Sequence, residues 1–265
     1  YPDILEDPEL KEHAKQLLND AHDMLADLIE NGKLVAKAVY GIFPAGSLGD
    51  DIVLYEDESR GSELARLLTL RQQGARGGKE SLALSDYVAP IDSGHRDYVG
   101  AFCVSAGFGT DEIAAQFEAD HDDYNSIMVK ALSDRLAEAF AEYLHEKVRK
   151  EVWGYAPDEA LSGEELIKEA YTGIRPAPGY PACPDHLEKP TLWQIMQIEE
   201  RIGVTLTENL AMWPAASVSG YYLAHPEAKY FGLGKIKRDQ LEDYAKRRGV
   251  DLKTAEKWLM PNLED

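Results

Sequence analysis

The sequence predicts an α/β chain of the α+β type, with long helices packed on a twisted, mainly antiparallel sheet, and not a Rossmann fold. Three observations carry this. Apolar residues recur at spacings of three and four through residues 8–29 and again through 111–153, the period of amphipathic helices. Runs rich in Val, Ile and Tyr sit next to one another with turn-forming residues between them, as paired strands do. No strand leads into a phosphate-cradling glycine turn at a helix start. Gly107-Phe108-Gly109 holds only a fragment of that pattern and lacks the later glycine and acidic residue of a dinucleotide fingerprint.

The first helix places Leu10, Ala14, Leu17, Leu18, Ala21, Leu25 and Leu28 on one face and stops at Asn31-Gly32. Leu34–Phe43 and Asp51–Tyr55 read as paired strands around the turn cluster 44–50. In Leu64–Leu70, Ala65 and Arg66 suit a helix while the neighbours and the preceding Gly61-Ser62 suit a hairpin strand, the reading preferred here; 72–81 fits a glycine-containing loop and Tyr98–Ala106 a further strand. From Asp111 to Trp153 the pattern is helical, and the part after Asp122 would reach roughly 45 Å at 1.5 Å per residue. Shorter helices are expected at 163–171, 191–201, 238–247 and 252–259, with late strands at 217–223 and 229–236. No internal repeat is visible, and the chain reads as a single domain over 1–265.

Composition narrows the function classes. With 28 Lys plus Arg against 48 Asp plus Glu, the net charge of −20 repels phosphate backbones and anionic headgroups, so neither nucleic acid nor membrane is expected as a partner. No apolar run approaches the ~20 residues that cross a bilayer, and the first residues lack the regions of a signal peptide. The chain does not begin with Met and is expected to start inside a longer polypeptide. Cys103 and Cys183, far apart, fit a reducing cytoplasm and read as ordinary buried thiols.

The most informative stretch is Arg175-Pro176-Ala177-Pro178-Gly179-Tyr180, followed by Pro181-Ala182-Cys183-Pro184-Asp185-His186. Its prolines deny it helix or central strand, so it reads as a stiff extended ribbon that mounts an arginine and a tyrosine with its backbone free to face a ligand. Together with 122–140, beginning Asp122-Asp123-Tyr124-Asn125, and with Ala211-Met212-Trp213-Pro214-Ala215-Ala216-Ser217-Val218-Ser219-Gly220, it resembles the activation domain of cobalamin-dependent methionine synthase. Three long segments in order are more specific than any short motif. The likeness runs from about Tyr1 to Asp265.

The resemblance implies binding of S-adenosylmethionine. It assigns Arg175 to the ligand carboxylate, the backbone around Ala177 to the adenine edge, and Tyr180 to stacking or hydroxyl donation. Tyr230 and Phe231, at the start of a late strand, would touch the nucleoside, and Glu138 on the long helix would hold the ammonium or a ribose hydroxyl. It also implies reductive reactivation of cobalamin held by a neighbouring domain of the same synthase, with an electron from a flavodoxin-type or other flavoprotein reductase. Positioning of a sulfonium methyl needs no general base, in keeping with the absence of a triad. The family's N-terminal segment, with an aspartate ahead of Trp-Thr-Pro-Phe-Phe, is not in this sequence. Other readings are a free-standing S-adenosylmethionine-binding regulatory module and an independent methyltransferase.

Other constellations read as structural. Cys183, Asp185 and His186 lack a second pair of ligands for zinc, and His121-Asp122-Asp123 reads as a helix cap. Ser217-Val218-Ser219-Gly220 lacks a hydrolase elbow and reads as tight sheet packing. Asp20-Ala21-His22 is followed by Leu25 where the cobalamin signature Asp-x-His-x-x-Gly needs glycine. Basic residues Arg71, Arg76, Lys79 and Lys246-Arg247-Arg248 are candidates for a reductase-docking patch.

Overall fold

The structure is a computed structural model and describes residues 3–74, 78 and 80–264. In chain order the elements are helix α1 (Lys11–Glu30), strands β1 (Val35–Leu48), β2 (Asp51–Tyr55), β3 (Glu63–Leu68) and β4 (Asp97–Phe108), then helices α2 (Thr110–Ala119), α3 (Asp123–Lys147) and α4 (Gly163–Ile167). Helices α5 (Lys189–Met196) and α6 (Ile198–Ile202), strands β5 (Thr205–Leu206), β6 (Met212–Trp213) and β7 (Ser217–Tyr222), and helices α7 (Arg238–Arg248) and α8 (Leu252–Leu259) complete the chain. One antiparallel sheet runs in the order β3-β2-β1-β4-β7, as the α+β expectation requires, and β5 pairs with β6. Among the described residues no helix is long and apolar enough to cross a membrane.

The chain forms two compact units. The first takes in Tyr1–Lys37, Val104–Ala141 and Met212–Val218. Its core is Leu28 of α1, Ile113 and Ala114 of α2 and Val129 of α3, flanked by Met24, Leu34, Phe117 and Leu132. The long helix expected from 111 to 153 is broken at 120–122, where His121 adopts φ of 60°. Asp122 then caps α3 by accepting the Asn125 N–H at 3.1 Å and its side-chain amide at 2.6 Å, which holds the Asp122 carboxyl below its usual range. The cap reading of His121-Asp122-Asp123 holds. The buried Thr110 and Ser133 hydroxyls, 2.7 Å apart, tie α2 to α3.

The second unit takes in Ala38–Cys103, Glu142–Ala211 and Ser219–Asp265. Strand β1 runs straight through the expected turn at 44–50, and the reversal is confined to Gly49-Asp50. Pro44 is tolerated because the ladder to β2 begins only at Ala45, so its missing N–H costs no bond to that strand. The expected strand 64–70 forms as β3, with Leu68 and Leu70 packed against Leu233, Ile236, Leu241, Tyr244 and Leu259. The expected strand 229–236 does not form. That segment carries Gly232 and Gly234, the latter at φ 73°, and gives its bonds singly: the Leu233 N–H goes to Pro181 and the Gly232 carbonyl accepts from Gln72. Helix α3 leaves through a π-helical turn, Val148–Val152.

Candidate functional site

The proline ribbon is not free along its length. Ile174 bridges Leu223 just beyond the end of β7, exchanging bonds of 2.9 and 3.0 Å, and the Pro176 carbonyl accepts the Tyr221 N–H at 2.9 Å. Prolines forbid a full ladder, so the ribbon lies beside β7 for three residues and then folds into two turns, with Tyr180 N–H on Ala177 and Cys183 N–H on Tyr180. The close approach depends on Gly220. A Cβ there would lie 2.5 Å from the Pro176 carbonyl oxygen and 3.3 Å from the Ala177 Cα. Tight packing, the reading given to Ser217-Val218-Ser219-Gly220, is what these atoms do.

Arg175 projects from the ribbon onto Glu142 and His145 of α3 and Arg149 of the π-helical turn that follows it, residues at sequence spacings of three and four. Its Nη2 donates to Glu142 Oε2 at 2.7 Å, and its Nη1 to His145 Nδ1 at 3.2 Å and the Tyr171 hydroxyl at 3.4 Å. The Arg175 N–H donates to the Tyr230 hydroxyl at 3.0 Å, and that hydroxyl also meets Tyr171 at 3.0 Å. Tyr230 therefore anchors the ribbon from a loop, not from the strand expected there.

His145 is fully buried, stacked on Tyr222 at 5.0 Å, with Tyr222 stacked in turn on Phe102 at 4.7 Å. Burial, reinforced by the Arg149 and Arg175 cations, pushes its pKa down to about 2. The ring is neutral, its Nδ1 accepts from Arg175, and its proton sits on Nε2, 3.4 Å from the Tyr155 hydroxyl. Because the folded pKa lies below the unfolded value of 6.5, this stability is present above pH 6.5 and is lost as pH falls toward 2. Between pH 6.5 and 5 the chain is expected to lose up to about 2 kcal/mol from this ring. Urea unfolding should show a shallower pH slope for His145→Gln, and equal slopes would contradict the assignment.

Arg149 is 0% exposed. Its Nε donates to both Glu159 oxygens at 3.0 Å, its Nη2 to Glu159 Oε1 at 2.6 Å, and it lies 4.5 Å over the Tyr171 ring. Its Nη1 and Glu142 Oε1 are 3.9 Å apart, and neither has a hydrogen-bond partner among the described residues.

Of the residues expected at the site, the structure brings Arg175 and Tyr230 into direct contact and sets Ala177 beside Gly220. Tyr180 points outward, 56% exposed. Phe231 packs 6.5 Å from Tyr87. Glu138 is exposed on α3 and belongs to the first unit. Glu142, His145, Arg149, Glu159 and Tyr171 were not foreseen. The signal was present as three polar residues recurring at 142, 145 and 149 along a helix read for its apolar stripe.

The basic patch does not stand as expected. Arg71 is engaged by Asp50 and Asp86, Arg247 by Asp51 and Asp243, and Arg248 by Asp185 and Glu188, so these charges are neutralised internally. Lys246 alone of that triplet is exposed, while Arg76 and Lys79 lie outside the described residues. Asp185 is likewise taken up by Arg248 and Tyr244, and the buried Cys183 thiol is pushed well up by desolvation.

The family described as vitamin B12 dependent methionine synthase, activation domain, matches residues 1–249. The chain belongs to this family. A crystal structure of the MetH reactivation domain bound to AdoHcy is similar to this activation domain at 55% sequence identity and a TM-score of 0.97, covering 100% of this chain and 82% of that one. The resemblance read from residues 122–140, 175–186 and 211–220 thus names the right family, and the helix-and-antiparallel-sheet expectation the right fold.

Proposed function

We propose that the Arg175 ribbon of this activation domain binds S-adenosylmethionine. The observation that carries the reading is the guanidinium of Arg175, held over α3 by Glu142 and a neutral His145, with its Nε in neither of those contacts, a fixed donor fork of the kind that pairs with a carboxylate. The ribbon fits the rest of such a ligand. The Ala177 N–H takes part in none of the hydrogen bonds among the described residues, which leaves it a donor for an adenine edge on this reading. Tyr180 offers an exposed ring for stacking, and Phe231 and Tyr230 lie on the segment that meets the ribbon. Glu138 enters on the family resemblance, toward the ammonium or a ribose hydroxyl. The relative whose crystal structure holds AdoHcy supports the same ligand chemistry.

On this reading S-adenosylmethionine supplies an activated methyl group for reductive reactivation of cobalamin held by a neighbouring domain, with an electron from a flavodoxin-type reductase. This chain's residues bind and orient: Arg175 fixes the amino-acid end, the ribbon backbone the nucleoside, and no acid or base is asked of the protein. Calorimetric titration with S-adenosylmethionine is expected to show saturable binding weakened about 30-fold by Arg175→Ala, the loss of one charge-assisted carboxylate pair. Equal affinity of the two proteins would remove the ribbon from the site.

A further inference from the structure

Arg175 already has a carboxylate before any ligand arrives. Glu142 Oε2 takes its Nη2 at 2.7 Å, while the other oxygen, buried and without a hydrogen-bond partner, lies 3.9 Å from the equally unpartnered Nη1 of Arg149. Glu142 is therefore suspended between two guanidiniums, with its side chain 26% exposed and that of Arg175 20%. The four charges, Glu142 and Glu159 against Arg149 and Arg175, sum to zero.

The geometry points to Glu142 as an internal counter-carboxylate, a positioning residue that aims the Arg175 fork while its charge opposes the carboxylate of the incoming ligand. This rests on the reading of Arg175 as the carboxylate anchor. Its position and its charge act in opposite directions. The acceptor oxygen, together with His145, fixes Nη1 and Nη2 and leaves Nε outside both contacts, which lowers the ordering cost of binding. The negative charge of Glu142 repels the ligand carboxylate, the third to share these two guanidiniums, and the low-polarity surroundings of the buried His145 and Arg149 magnify that repulsion. The site is thereby tuned to hold its ligand less tightly than its own fork allows.

Glutamine separates the two effects, since it keeps an acceptor oxygen in the same place and removes the charge. Titrating the 265-residue chain with S-adenosylhomocysteine and with 5′-methylthioadenosine, which has the nucleoside and sulfur but neither the carboxylate nor the ammonium of the amino-acid end, reads both effects. Glu142→Gln is expected to tighten S-adenosylhomocysteine roughly 3- to 10-fold and to leave 5′-methylthioadenosine unchanged, a size in line with a partly exposed charge pair. Glu142→Ala, which loses the aim as well, is expected to bind S-adenosylhomocysteine more weakly than Glu142→Gln. An unchanged or weakened S-adenosylhomocysteine affinity in Glu142→Gln overturns the inference alone, and so does an equal shift for both ligands. Failure of both the unsubstituted chain and Glu142→Gln to bind S-adenosylhomocysteine overturns the Arg175 reading and this inference with it.

Discussion

Replacing Arg149 with leucine is expected to destabilise the chain by about 3–5 kcal/mol, the range seen when one partner of a buried ion pair is removed. Among the described residues Arg149 is the cation paired with Glu159, whose side chain is only 9% exposed and which receives three hydrogen bonds from it. Tyr171 would also lose the cation stacked on its ring. For a chain of this size each kcal/mol moves Tm by about 2–4 °C, so a fall of roughly 10 °C should appear in a thermal scan. Urea unfolding should show a lower midpoint with the slope unchanged. Removing both ends, in Arg149→Leu with Glu159→Leu, should recover much of the loss because no uncompensated charge remains. A single variant within about 1 kcal/mol of the parent would mean that water reaches this pair.

The second large effect is expected from a residue with no side chain. In Gly220→Val the first carbon alone would sit 2.5 Å from the Pro176 carbonyl and 3.1 Å from the Phe102 ring, and neither a backbone carbonyl nor a stacked ring can yield cheaply. The outcome is a ribbon pushed off β7, with loss of the bond from the Tyr221 N–H to Pro176. Stability should fall by about 2–4 kcal/mol. Affinity for S-adenosylhomocysteine should fall at least about 30-fold, because Arg175 and Ala177 flank the displaced residue. Gly163→Ala, at a glycine with nothing within 4 Å of the added carbon, is the control and should change neither. Binding retained within about threefold in Gly220→Val would separate the ribbon's position from ligand recognition.

The fold was legible where pattern and geometry coincide. The apolar period gave α1 and α3, Val- and Ile-rich composition gave β2 and β4, the hairpin-like setting after Gly61-Ser62 gave β3, and alternation gave β7. The misses have local causes. A proline and glycine cluster at 44–46 reads as a turn, yet β1 accepts it because pairing with β2 starts one residue later. Tyr230 and Phe231 have strand composition, yet their segment is held by isolated bonds to the ribbon and to Gln72. At the candidate site, Arg175 and Tyr230 stood out as residues, but their partners did not. Glu142, His145 and Arg149 share one helical face, and a charged residue on a helix is ordinarily solvated. What removes them from water is a set of rings, Tyr171 and Tyr222 among them, that no short sequence window contains.

The Glu142–Arg175 and Arg149–Glu159 pairs fall within residues 142–175, whereas Tyr222, whose ring stacks on His145 between them, comes much later in the chain. A ribosome building this polypeptide from its amino end therefore releases both acids and both arginines together, across short loops that cost little to close. The two ion pairs can form with Tyr171 beside them before the ring of Tyr222 arrives over His145. Order of synthesis thus gives each of these four charges its partner before the last ring of the cluster exists.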